Sequence, residues 1–100
     1  MPHFLVIAQD GTDAEAPARR QAARPAHFAR LQQNPDALTI GGAILNEADA
    51  MAGSYFIMEA ASRADVERFV AEDPYSREKV WHKVEIRPVR IAVHGGRISQ

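Results

Sequence analysis

Residues 3 to 9, "HFLVIAQ", open the chain with an apolar run of strand formers, and the turn-prone cluster Asp10-Gly11-Thr12-Asp13 ends it. This predicts a first strand. From 14 to 33 the chain is dominated by Ala, Arg, Glu and Gln, all strong helix formers, and Asn34-Pro35-Asp36 closes the segment. That is the first helix. Pro25 removes a ladder donor and disfavours helical geometry at Arg24, so the helix is expected to kink or restart there, with Pro25 in a first-turn position. Residues 37 to 41, "ALTIG", predict a brief second strand, and 42 to 53 read as a loop. In "SYFIMEA", residues 54 to 60, Tyr55, Ile57 and Glu59 alternate with Phe56, Met58 and Ala60, which predicts a third strand. Ser62-Arg63-Ala64-Asp65 matches a capping box, and Val66, Phe69 and Val70 then recur at helical spacing, predicting a second helix over 63–72. Residues 82 to 93 alternate at first, with Val84 and Ile86 on one face, and Pro88 points to an edge strand or a bulge.

Strand, helix, strand, strand, helix, strand is the order of two split βαβ units, so the fold class is α+β, a ferredoxin-like sandwich with both helices on one face of the sheet. The first strand is apolar on both sides, Phe4, Val6 and Ala8 against Leu5 and Ile7, so the uncovered sheet face also needs burial. No helix remains to supply it. A second copy of the same sheet is the economical answer, and a homodimer joined through sheet faces is expected.

With 100 residues, 46% of them hydrophobic and 25% charged, the chain has room for one core. Residues 1–94 are read as one domain and 95–100, from "HGGRISQ", as a flexible tail. A net charge of −1 supplies no field favouring nucleic acid or an acidic membrane. "SYFIMEA" has the aromatics of an RNA-binding sheet but lacks basic flanks, so no nucleic-acid partner is expected. No apolar run approaches the length of a membrane span and the start lacks a secretory pattern, which makes a cytoplasmic protein the expectation. Without cysteine there are no disulfides and no thiolate nucleophile. His3, His82 and His94 form no metal-binding spacing, so neither metal nor cofactor is expected.

Chemistry then rests on two segments. On the predicted helix Arg24, His27 and Leu31 fall within about 60° of one another, with Phe28 on the adjoining flank, so His27 lies at the edge of the buried stripe. Such an imidazole is either half solvated or held by a carboxylate or carbonyl. In "AEDPYSREKV", residues 71 to 80, Asp73 suits the N-cap of a short helix starting at Pro74, accepting from the amide of Tyr75 or Ser76. Capping with one oxygen leaves the other for a second partner. Since both helices of the sandwich pack on one face, His27 and Asp73 can meet across a cleft as a base whose tautomer is fixed by a carboxylate.

These residues resemble the YCII-related (YciI-like) family through nearly the whole chain: "AQD" at 8–10, "RPAHFARLQ" at 24–32, "TIGGAIL" at 39–45, "GSYFIME" at 53–59 and "EDPYSREKVWHKVEIRPVR" at 72–90. The resemblance implies a small ferredoxin-like dimer with a His-Asp dyad, which maps onto His27 and Asp73. Some relatives look like dehydrochlorinases of chlorinated hydroxyquinones, and the dimeric sandwich also looks like that of muconolactone isomerase. It therefore implies acid-base catalysis, elimination or isomerisation, on a small cyclic or aromatic metabolite. Arg24, Gly42, Ser54 and Tyr75 are then candidates for substrate binding. Three of them also have a structural reading: Arg24 in a surface ion pair, Ser54 as an ordinary strand-start residue, Tyr75 packed under the second helix. Trp81 reads as dimer-interface packing. Where relatives often have Gly-Pro after the second strand, this chain has Gly41-Gly42-Ala43, which gives the cleft loop a different shape. The alternative from another class is a non-catalytic ligand-binding or accessory dimer.

Overall fold

Alternation decides which way each strand faces. In the computed structural model, which describes residues 1–98, the first strand β1 (His3–Asp10) buries Phe4, Val6, Ala8 and Asp10 and leaves Leu5 and Ile7 half-buried on the other side. Helix α1 (Ala16–Gln33) follows, then β2 (Leu38–Leu45), β3 (Met51–Glu59), α2 (Arg63–Glu72), the single turn α3 (Pro74–Arg77) and β4 (Trp81–Val89). The four strands form one antiparallel sheet in the order β2-β3-β1-β4. Opposed residues share a face, so Val6 stands between Phe56 and Ile86, and Phe4 beside Met58. Ala23 of α1 and Val66 and Val70 of α2 close over that face. This is the ferredoxin-like α+β fold, and Pro88 sits on the edge strand β4, where no further strand needs its missing donor.

The opposite face carries Leu5, Ile7, Ile57, Tyr55 and Ile40, with Lys83, Glu85 and Arg87 along the β4 side. No helix among the described residues covers it. Ile40 and Tyr55 are exposed there. Among the described residues no helix is long and apolar enough to cross a membrane.

Several boundaries differ from the sequence expectation, each for a local reason. The segment expected as a loop over 42–53 is mostly extended, because β2 runs on to Leu45 and β3 starts at Met51. Its glycines are there for packing rather than for turning. A Cβ at Gly42 would lie 3.0 Å from the Tyr55 hydroxyl, and one at Gly53 would lie 2.5 Å from the Ala8 carbonyl oxygen on the neighbouring strand β1. The reversal is left to Asn46, whose side-chain oxygen accepts from the amides of Ala48 (2.8 Å) and Ala50 (3.1 Å), and to Asp49 at φ 62°.

Helix α1 begins at Ala16, and it continues through Pro25 rather than restarting. Pro25 and Gln21, whose carbonyl loses its donor, both lie on the exposed side, so the lost bond is not buried. Ser62 caps α2 by accepting from the Asp65 amide at 3.3 Å. Strand β4 starts at Trp81 and stops at Val89, four residues short of the expected end. Beyond it, where a flexible tail is expected from 95, the chain turns at Gly95-Gly96 (φ 60° and 80°) and pairs β5 (Val93–His94) with β6 (Arg97–Ile98). Two consecutive left-handed glycines are what a tight hairpin turn requires. The last part of that expected tail, residues 99–100, lies outside the described residues.

Candidate functional site

A proline after an aspartate ends α2 and starts α3, and this places one carboxylate at the centre of everything that follows. Asp73 is fully buried. Its Oδ1 accepts from the Tyr75 amide at 2.9 Å, which makes it the expected N-cap of α3. The same oxygen lies 2.8 Å from His27 Nδ1, and Oδ2 accepts from Arg30 Nη1 at 3.0 Å. A carboxylate is acceptor-only, so the facing ring nitrogen carries the proton and the lone pair is left on Nε2. His27 Nε2 has no hydrogen-bond partner among the described residues and keeps contact with solvent. The imidazole is held from its flat side too, stacked on the Tyr75 ring at 4.0 Å between centroids and 13° between planes, with the Phe28 and Trp81 rings edge-on.

His27 borders a cavity of about 350 Å³ between α1 and the β2–β3 end of the sheet. Arg24, Gly42, Ser54 and Tyr75 line the same cavity, so the residues expected from sequence to bind substrate are gathered around one space with the His27–Asp73 pair. Arg24 makes no ion pair with an acid among the described residues; its guanidinium carbon lies 4.8 Å over the Phe28 ring. Tyr75 both lines the cavity and belongs to the core. Burial pushes its phenol up, against the lowering influence of the Arg20 and Arg24 charges, so it stays protonated and available as a donor.

Beneath this layer lies a second polar group that the sequence reading does not anticipate. Arg20 Nη1 donates to both oxygens of Asp10 (2.9 Å each), and its Nη2 donates to Ser54 Oγ at 3.0 Å. Trp81 Nε1 donates to the same Oγ, also at 3.0 Å. Arg20 and Asp10 are both buried, and burial raises the Asp10 carboxyl more than the Arg20 charge lowers it. Trp81 is thus not dimer-interface packing. It faces the helices because it is paired with Asp10 on the buried side of β1, and its indole borders the cavity.

Signals for these residues existed. Arg20 and Arg30 stand seven before and three after His27, hence on its side of the helix. Asp10 continues the even-numbered series Phe4, Val6, Ala8 that faces the core. No group of three or more His, Asp or Glu side chains in metal-binding arrangement occurs among the described residues.

A family model described as the YCII-related domain matches residues 2–90. The chain belongs to the YCII-related family. Among solved structures, this YCII-related chain is similar to 5-chloro-2-hydroxyhydroquinone dehydrochlorinase (TftG) of Burkholderia phenoliruptrix, determined in complex with 2,5-dihydroxybenzoquinone. The two are 26% identical, with a TM-score of 0.77 over 88% of this chain and 93% of that one. Two further structures share the fold. A dimeric ferredoxin-like protein from an uncultured marine organism is 10% identical, with a TM-score of 0.56 over 93% of this chain and all of that one. Another, from a Jannaschia species, is 8% identical, with a TM-score of 0.51 over 91% of this chain and all of that one. None of the curated proteins searched matches the chain.

Proposed function

We propose that the cavity is the active site of a small-molecule enzyme in which His27 Nε2 removes a proton from a small cyclic or aromatic metabolite, leading to elimination or isomerisation. The observation that carries this reading is the 2.8 Å contact between His27 Nδ1 and a fully buried Asp73, on the wall of a cavity of about 350 Å³. Asp73 fixes the tautomer and stabilises the imidazolium once the proton has moved. The cavity is near the lower end of the usual range for ligand sites, which suits a single substituted ring. The activity of the dehydrochlorinase relative supports the same reaction class. Arg24, Gly42, Ser54 and Tyr75 form the substrate-binding wall.

The test is turnover of chlorinated hydroxyquinones, 5-chloro-2-hydroxyhydroquinone first, followed by chloride release, with muconolactone isomerisation assayed in parallel. Catalysed loss of chloride or lactone isomerisation supports the reading. Tight binding of these rings with no turnover favours the accessory-protein alternative.

The working unit in this reading is a homodimer. The uncovered sheet face with Leu5, Ile7, Ile40, Tyr55 and Ile57 supports it, as do the ferredoxin-like relatives described as dimeric. In sedimentation the 11.0 kDa chain is expected at twice that mass, and Ile57→Lys is expected to release monomers. A wild-type monomer at micromolar concentration would remove this part of the proposal.

A further inference from the structure

The cavity does not end where Arg24 and His27 reach it. Along α1 it continues past Leu31 to Asn34 and Pro35, and Phe69 of α2 and Leu38 of β2 wall it there from the other sides. Arg24 and Asn34 are about 15 Å apart along the helix at roughly 1.5 Å per residue, so the space is elongated and a single ring beside His27 fills only part of it. Both helices grade it in the same direction. Leu31 stands one turn after His27 on α1, and Phe69 one turn before Asp73 on α2. The imidazole and its carboxylate thus belong to one end and two apolar side chains to the other.

Polar groups near that far end are engaged elsewhere. The Asn34 side-chain nitrogen donates to the Arg30 carbonyl at 2.9 Å, and the Arg30 guanidinium, 4.0 Å from the Phe69 ring centre, does not border the cavity. Leu38 and Phe69 pack against the core, yet they and Leu31 are only half-buried. Apolar surface is therefore left uncovered inside a cavity whose other end carries Arg24 and His27.

We propose that the cavity takes an amphipathic ring, oxygenated on the edge that faces His27 and Arg24 and carrying on the opposite edge a short unbranched alkyl chain that lies among Leu31, Leu38 and Phe69. This names the substrate class as an alkylated catechol- or hydroxyquinone-type ring, and it rests on the acid-base reading above for what happens at the oxygenated edge. An oxygen placed at the far end would lose its water and find no partner there. An alkyl chain instead removes its own surface and that of three side chains from water.

Occupancy can be read without turnover, because Trp81 is the chain's single tryptophan and borders the cavity. Its fluorescence, excited beyond the absorption of phenols, is followed while catechol and catechols bearing a methyl, propyl or pentyl group para to one hydroxyl are titrated. Each added methylene is expected to tighten binding about 3- to 4-fold, the gain from taking one CH₂ out of water, so that pentyl binds roughly 10-fold better than propyl. Leu31→Gln, which sets an amide in the far end, should flatten that slope. Leu31→Phe, which narrows the same space with an apolar ring, should turn the slope against the longest chain, and it serves if Leu31→Gln melts early. Affinity that is level or falls from methyl to pentyl in the wild type overturns the proposal. A slope kept by both folded variants also overturns it, as does a wild type that binds none of the four rings. The two readings fail separately. If the slope is present and no chlorinated ring is turned over, the acid-base reading falls and the chain site stands. If a chlorinated hydroxyquinone is turned over and the slope is absent, only the chain site falls.

Discussion

His27→Ala is expected to lower turnover of a hydroxyquinone substrate by about 10²- to 10⁴-fold, the range over which a positioned general base acts. The effect should fall on kcat rather than on binding, because the imidazole contributes one edge of a cavity whose other walls are intact. The fold should survive. Asp73 keeps its bonds to the Tyr75 amide and to Arg30, so no buried charge is abandoned when the imidazole leaves. Steady-state kinetics beside a melting curve decides the matter: unchanged turnover in a folded His27→Ala protein removes the general-base role.

The second large effect concerns stability as much as rate. Asp73→Ala removes the acceptor of three donors at a fully buried point, leaving His27, Arg30 and the start of α3 unsatisfied. Breaking a buried charged pair typically costs about 3–5 kcal/mol, and losing an N-cap typically costs about 1 kcal/mol. Small domains hold roughly 5–15 kcal/mol in all, so this variant is expected to be marginal in urea titration. Asp73→Asn separates the two roles. An amide oxygen in the place of Oδ1 keeps both the cap and the His27 contact, while the amide nitrogen turns away Arg30 and no negative charge remains to stabilise an imidazolium. Keeping the cap while losing the Arg30 pair, its stability should lie between wild type and Asp73→Ala, and its turnover about 10²-fold below wild type. If Asp73→Asn matches wild type in turnover, the carboxylate is a structural cap only.

What could be read in the chain beforehand follows from the range of the interactions involved. Alternation in "SYFIMEA" and helical spacing after Ser62 depend on near neighbours and one buried face, so these elements were legible. The extension of β2 through Gly41-Gly42 was not, because the reason for small residues there is Tyr55 on the adjacent strand. The continuity of α1 through Pro25 depended equally on something nonlocal, namely which side of the helix faces water. In the site, His27 and Asp73 could be paired because a split βαβ sandwich sets its helices side by side. Arg20 and Asp10 escaped because a charged residue in an apolar series reads as a boundary until its partner is seen. Trp81 escapes for a related reason: the face it occupies is set by the indole's buried partner Ser54, which is on another strand.

The β2–β3 hairpin gives the site a division of labour. Every charged side chain around the cavity, like His27, comes from α1 or the α2–α3 joint, whereas Gly41, Gly42, Ala43 and Met51 form a rim with no charge on it. The hairpin closes on itself through the Asn46 turn and carries none of the proton-transfer apparatus. Under the proposed function, substitutions in the rim are expected to change which ring is admitted and to leave the His27–Asp73 pair in place. Ligand preference would then be reset by a few changes in a short, self-contained piece of chain.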